Sequence, residues 1–225
     1  MKNSINKAIN ALRRGDFVLI HDSENREDET DLVIAAQFIK PRDIARMRRD
    51  GGGLICIAVD EEIANKLELP FITEIYEYAS EKFRILTHIR PNDIPYDEKS
   101  SFSITINYRD TFTGISDYDR ALTIRRFAQF CKRMPKNMVE RFGDEFRSPG
   151  HVPLLISSGI ENREGHTELS TTLLRMANLT PVAAICEMLD SGTYRALSRR
   201  DAIRYANENN LVFLEGDEIK NFKKN

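Results

Sequence analysis

Eleven residues, "HDSENREDETD" at 21–31, hold six carboxylates, an arginine and a histidine. Asp22, Glu24, Glu27, Asp28, Glu29 and Asp31 offer the oxygen ligands that a hard cation such as magnesium takes, with substrate completing the coordination. The alternative is a hydrated surface run, because charged residues that resist burial gather in connections. The run lacks the glycine and ligand spacing of a calcium-binding EF-hand. A second stretch, "NREGHTE" at 162–168, heads an expected helix. There Gly165 allows close backbone approach, Arg163 and Thr167 can donate to an anion, and His166 and Glu168 can act as metal ligand or proton carrier. The plain reading of that stretch is a helix cap. His151, in "RSPGHVPLL", stands at the entrance of an apolar strand and is either a catalyst or a hydrogen-bonded structural residue. Glu187, inside "VAAICEML", either carries a raised pKa suited to proton transfer or is neutralised by an arginine.

These residues need a frame. The acidic run lies between "FVLI" (17–20) and "DLVIAA" (31–36), two β-branched apolar stretches that read as buried strands and would pin the loop at both ends. Before them, "SINKAINALRRGD" has helical spacing, with Ser4 as cap and Gly15 as stop. After them comes a helix from Pro41 to the triplet Gly51–Gly53, a strand "LICIAV" (54–59) and a short helix in "DEEIANKLEL". Residues 70–100 show no clear period. "SFSITINY" (101–108) alternates like a strand with one buried face. "DYDRALTIRRFAQFCKRM" is helical by period, "HVPLLIS" (151–157) is a strand, and "GHTELSTTLLRMANL" is an amphipathic helix through Leu169, Leu173 and Met176. "PVAAICEML" (181–189) is an apolar strand, Ser198 and Asp201 form a capping box, and a last strand, "LVFL", leads to a polar tail. The irregular interleaving predicts an α+β fold, a mixed β-sheet covered by helices, forming a single domain over 1–225. The three adjacent glycines lack the spacing of a nucleotide-binding loop.

Bulk properties narrow the classes. With 225 residues and 41% hydrophobic content the chain can bury a sizeable core, and it holds no repeat or linker. A 30% charged fraction that nets to −2 gives no pull toward nucleic acid or anionic membrane. No stretch approaches the roughly 20 apolar residues that span a bilayer, and "MKNSINKAIN" lacks the apolar core of a signal peptide. Cys56, Cys131 and Cys186 are odd in number with no C-x-x-C pair, which favours reduced thiols and a cytoplasmic setting.

Taken together the motifs are specific. "DSENREDETDLVIAA" resembles the "D-x-E-D-R-E-x-E-x-D" loop of the 3,4-dihydroxy-2-butanone 4-phosphate synthase family of riboflavin biosynthesis. "TGISDYDRALTIR" (113–125), "SPGHV", "REGHTE" and "PVAAICE" resemble further family segments in the same order, from about residue 5 to about 215. No second catalytic domain is expected, as in the monofunctional form. The resemblance implies a lyase that converts D-ribulose 5-phosphate to L-3,4-dihydroxy-2-butanone 4-phosphate and formate with magnesium, or manganese in its place, two ions per site. It implies Glu27 and His166 as metal ligands, and Arg26 and Asp31 at the sugar phosphate. Arg163, Gly165 and Thr167 would hold the phosphate end, with Glu164, Glu27, His166 and Glu187 among the substrate-binding residues. His151 and Glu187 would carry proton transfer, and the enzyme would be a homodimer in which His151 completes the partner's site. Asn25 stands where the family usually has aspartate, and the stretch before Arg163 is shorter than in many members. Cys56 reads as a core residue, and the family suggests its approach to the site.

Two other classes fit the residues alone. A metal-dependent phosphohydrolase would release phosphate from the same sugar. A sugar-phosphate sensor would bind without turnover.

Overall fold

The computed structural model describes residues 2–91, 93–97 and 100–223. Its helices are α1 (Lys2–Arg14), α2 (Pro41–Arg46), α3 (Glu61–Lys66), α4 (Ile72–Ala79), α5 (Ile85–His88), α6 (Asp117–Arg133), α7 (Met138–Glu145), α8 (His166–Met176), α9 (Arg199–Glu208) and α10 (Gly216–Lys223). The strands are β1 (Val18–His21), β2 (Thr30–Ala35), β3 (Cys56–Val59), β4 (Phe102–Tyr108), β5 (Phe146–Ile156), β6 (Val182–Glu187), β7 (Leu189–Asp190), β8 (Arg195–Ala196) and β9 (Val212–Glu215). Seven strands form one sheet in the order β4-β5-β3-β6-β2-β1-β9, and β7 and β8 make a separate hairpin. Pairs β1–β9 and β3–β5 are parallel and the other sheet pairs are antiparallel, so the sheet is mixed as the irregular element order predicts.

Alternation decides which residue meets which layer. Leu32, Ile34, Ile57, Val59, Ala184 and Cys186 face α2 and α6. Val33, Ala35, Cys56, Ala58, Ala183 and Ile185 face α1, α8 and α10. The central strands β1, β2 and β3 are buried on both faces, which is why they read as continuous apolar runs rather than alternating ones.

Several expectations need correction. Helix α8 is not amphipathic: His166 to Leu174 are all buried, because α1 and α10 close over the side that faces away from the sheet. Its hydroxyls tolerate this by bonding back to the helix, Ser170 and Thr171 each donating to the Thr167 carbonyl at 3.1 and 2.9 Å. The polar tail is helix α10, anchored by fully buried Ile219. Ser4 lies inside α1 rather than before it, and its hydroxyl donates to Glu218 of α10 at 2.6 Å. The unreadable segment contains α4 and α5, both without a buried residue; Ile72, Ile75, Tyr76 and Ala79 of α4 do recur at helical spacing, but that stripe stays only partly covered. Helix α7 buries only Met138 and was equally silent. Clean alternation in β4 fails because its pairing with β5 shifts register twice. The second shift is large: Ile106 faces Val152 and its neighbour Asn107 faces Arg147, so Ser148–His151 are pushed out of the ladder. The segment before His151 is thus a four-residue bulge within β5, not a loop preceding it.

All three cysteines are free and buried. Among the described residues no helix is long and apolar enough to cross a membrane. Because α8 both covers the sheet and carries His166, its packing supports the site. Leu173→Ala, which truncates a fully buried side chain between α8 and the sheet, should cost about 2–5 kcal/mol. Urea denaturation followed by circular dichroism should show a lower midpoint; an unchanged midpoint would mean that α8 is not held by this core.

Candidate active site

The acidic run is the eight-residue connection of the β1–β2 hairpin, spanning 22–29. Its shape is set by Asp22, whose carboxylate is fully buried and accepts the Glu27 N–H at 3.0 Å and the Glu29 N–H at 3.1 Å. The Ser23 carbonyl accepts from the N–H groups of Arg26 and Asp28, completing a tight inner turn. With Asp22 turned inward as an anchor, Glu27 and Glu29 face a cavity of about 310 Å³ while Glu24, Asn25 and Asp28 remain exposed. The exposed Asn25 therefore leaves the cavity lining unaltered. The loop is structured, and only part of it points at the site.

The cavity is also lined by Arg26, Asp31, Tyr96, Asp97, Arg163, His166, Thr167, Ile185 and Glu187. Strand pairing sets Asp31 directly opposite Glu187, so both carboxylates leave the sheet on the face that α8 covers. Helix α8 begins above them at His166. The His166 Nδ1 lies 3.5 Å from Glu27 Oε2, and its Nε2 lies 3.8 Å from Asp31 Oδ1 and 3.2 Å from the Glu29 carbonyl.

Such crowding of carboxylates moves their protons. At His166, burial disfavours the charge, but Asp31, the hydrogen bond to Glu27 and the charge of Asp22 outweigh it and raise the pKa to about 10. At Asp31 burial is the main cause, opposed by His166 and reinforced by Glu187, Glu27 and Glu29, and its pKa rises to about 8. At Glu27 burial is offset by the His166 hydrogen bond and charge and by Arg26, which together hold its carboxyl below the usual range. Burial, with Glu27 and Glu187 nearby, raises the Glu29 carboxyl. This is a pocket with more negative charge than its own cations balance. A divalent cation fits it: ligand atoms of Asp22, Glu27 and His166 lie within 4.8 Å of one another, and the buried Asp31 Oδ1 has no hydrogen-bond partner.

Among the described residues Glu187 meets neither an arginine nor another side-chain cation. Its Oε2 accepts the Leu54 backbone N–H at 2.7 Å. This contact needs glycine at position 53, where a Cβ would lie 2.3 Å from the same Oε2. The glycine triplet that matched no nucleotide loop is thus the seat of a carboxylate. Cys56 lies one row deeper on the same sheet face, opposite Ile185. Burial first, then the charges of Glu187 and Asp31, push its thiol well above its ordinary pKa, so it stays protonated.

Two guanidinium groups line the cavity beside this cluster, and Arg26 Nη1 itself donates to Glu27 Oε1 at 3.2 Å and to Asp22 Oδ2 at 3.4 Å. Arg163 donates through Nη1 to Glu168 at 2.7 Å and through Nε to Asp97 at 2.6 Å. Arg26 donates through Nη2 to the same Asp97 oxygen at 2.7 Å and lies over the Tyr96 ring. Glu168 is fully buried and also accepts from the Ser158 and Gly165 N–H groups, so it orients Arg163 rather than sharing the pocket with His166. Burial raises the Glu168 carboxyl despite Arg163 beside it.

Three expected site residues do not line the cavity. Gly165 sits behind Arg163, and a Cβ there would come within 2.3 Å of the guanidinium. Glu164 turns the opposite way to Lys220 of α10, at 2.6 Å. His151 is exposed on the β5 bulge, with its N–H donating to Asn107 Oδ1 at 2.9 Å and its ring Nδ1 3.1 Å from Asn107 Nδ2. Conversely, Asp97, Tyr96 and the Leu54 N–H were missed. The first two fall in the segment without period, and a backbone donor leaves no mark in residue type.

Comparison with known proteins matches this geometry to one family. A family model described as 3,4-dihydroxy-2-butanone 4-phosphate synthase matches residues 6–222. A 3,4-dihydroxy-2-butanone 4-phosphate synthase of Methanothermobacter thermautotrophicus is 52% identical over 217 residues, covering 96% of this chain and 93% of that one. Its counterpart in Methanosarcina acetivorans is 46% identical over 220 residues, covering 96% and 89%. A solved 3,4-dihydroxy-2-butanone 4-phosphate synthase in complex with two magnesium ions superposes with a TM-score of 0.77 at 28% identity, over 96% of this chain and 94% of that one. A cation-free form gives 0.78 at 27%, over 98% and 96%. Since the match spans every strand of the sheet and every segment that lines the cavity, the chain belongs to the 3,4-dihydroxy-2-butanone 4-phosphate synthase family.

Proposed function

We propose that this chain converts D-ribulose 5-phosphate to L-3,4-dihydroxy-2-butanone 4-phosphate and formate, supplying riboflavin biosynthesis in the cytoplasm. The observation that carries the reading is a single cavity that brings a carboxylate and histidine cluster together with two arginines, Arg26 beside the cluster and Arg163 next to it across Asp97. A sugar phosphate suits both: vicinal oxygens at the reacting carbons for the cluster and a dianion for the arginines. Glu27 and His166 would hold magnesium, with manganese as the alternative, and Asp22 lies close enough to contribute. Two ions per site fit the relative solved with two magnesium ions. The cation, when bound, supplies Lewis acidity to the charge that develops on neighbouring substrate oxygens.

The remaining work falls to the chain. Arg163 and Arg26 bind the phosphate, Thr167 and the first turn of α8 add donors, and Glu168 keeps Arg163 in register. Asp31 contacts the sugar. Glu187, with Oε2 held by the Leu54 N–H, moves protons at the carbons beside the ketone through its other oxygen. The reaction needs proton moves on more than one face, and His151 supplies the second group from across a homodimer interface; its exposure outside its own cavity supports that arrangement. Incubation with ribulose 5-phosphate and magnesium, followed by NMR, tests the function. Formate with the phosphate ester intact is expected; free phosphate would indicate a phosphohydrolase, and unchanged sugar a sensor.

Chelation by EDTA should abolish formate release, and magnesium or manganese should restore it. The buried, mutually interacting His166 and Asp31 both have raised pKa values, so near neutral pH the pair holds on to protons in the metal-free chain. A ligating imidazole must lose its proton, so metal binding should release protons and tighten by up to about tenfold per pH unit for each one released. Calorimetry in buffers of different ionisation enthalpy measures that number; a heat independent of buffer contradicts it.

Glu187→Gln should fold normally, because the amide can still accept the Leu54 N–H, yet lose about 10²–10⁴-fold in kcat. Near-normal turnover would make Glu187 structural.

Shared sites have a stoichiometric signature. Glu27→Gln and His151→Ala homodimers should each be inactive, while co-refolding equal amounts should restore about a quarter of wild-type activity, since half the dimers are mixed and each has one intact site. No recovery despite subunit exchange, checked by mass spectrometry, would assign His151 to its own chain's site.

A further inference from the structure

We infer that Asp97 is an internal stand-in for phosphate, a positioning residue that holds the two-arginine seat until a dianion displaces it. This rests on the reading of Arg26 and Arg163 as the phosphate-binding end. One oxygen of Asp97 accepts from both guanidinium groups, at 2.7 Å from Arg26 Nη2 and 2.6 Å from Arg163 Nε. The contacts are largely dry: the side chains are 11% exposed for Arg26, 15% for Arg163 and 12% for Asp97. Bridging two guanidinium groups is the geometry by which a phosphate is held, and here a carboxylate occupies it. Glu168 already fixes the Nη1 of Arg163, so the edge directed at Asp97 is the one left for a ligand. Tyr96, next to Asp97 in the chain, places its ring beneath the Arg26 guanidinium.

The consequence is selection by charge. A tethered carboxylate competes at a high effective concentration, so a neutral sugar or a weak monoanion does not dislodge it. A phosphate dianion carries about twice the charge and more acceptor oxygens, and it can engage both arginines at once. Asp97 therefore lowers the apparent affinity for every anion that must displace it, so that only a ligand able to engage both arginines strongly fills the seat at a given concentration.

Inorganic phosphate is the probe, since it reports the seat without the reaction. Its dissociation constant would be measured by calorimetry on the wild-type chain and on Asp97→Asn, Asp93→Asn and Arg163→Gln. Asp93 is exposed on the same segment, so its variant carries the same charge change away from the arginines. Asp97→Asn should bind phosphate about tenfold tighter, the gain expected when a seat open one time in ten becomes free. Asp93→Asn should match wild type and Arg163→Gln should bind more weakly. Weaker or unchanged binding by Asp97→Asn, with Arg163→Gln weakened, overturns the stand-in and makes Asp97 a brace for the arginines. Equal tightening by both aspartate variants reduces the effect to net charge and also overturns it. Unaltered binding by Arg163→Gln overturns the phosphate seat itself.

Discussion

The pairing of β2 with β6 is the constraint on which the site depends. Its register sets Asp31 against Glu187 and Val33 against Ile185. Side chains alternate across a sheet, so a slip of β2 by one residue would send Asp31 into the opposite core, toward Cys186 and its neighbours, and leave Glu187 alone on the α8 face. Apolar burial on both faces of the central strands holds the register against that slip. The two carboxylates stand where the apolar runs end, and both line the cavity.

Electrostatics then organises the rest around this pair. The cavity holds Glu27, Glu29, Asp31 and Glu187 with the buried Asp22 behind them, and this crowding raises the pKa of both His166 and Asp31. Two arginines stand beside them, Arg163 balanced by Asp97 and Glu168 and Arg26 by Asp97, Asp22 and Glu27. A rigid frame is needed to hold so many charges in place. It comes from local backbone contacts: Asp22 closing its loop on two N–H groups, Glu168 tying the start of α8 to Ser158, and the Leu54 N–H holding Glu187. Each uses a carboxylate as an acceptor of backbone donors, fully buried at Asp22 and Glu168, where Arg26 and Arg163 also pair with it, and half-buried at Glu187.

Family membership and geometry bear on different parts of the chain. Similarity to relatives covers nearly all of it, and the fold of the solved relatives is reproduced at 27–28% identity. The geometry adds the Arg26–Asp97–Arg163 bridge, in which residues 93–97, none of them fully buried, are tied to the cavity by ion pairs and by the Tyr96 ring beneath Arg26.

The sequence by itself determined the mixed sheet, the helices with an apolar stripe, and the acidic, "REGHTE" and "VAAICE" segments, because burial and alternation leave periods that residue type records. It placed Asp22 among candidate ligands without distinguishing an anchor from a lining residue, since both are carboxylates in one loop. It was silent on α4, α5 and α7, which bury almost nothing, and it misread α8, whose outer face is covered by the two ends of the chain. Only the tertiary structure decided that Gly53 seats Glu187, that Glu164 leaves the cavity for Lys220, and that Asp97 bridges residues 26 and 163. Those outcomes depend on where segments far apart in the chain come to rest, and a long-range contact made by a backbone N–H or a single carboxylate imposes no period on the sequence around it.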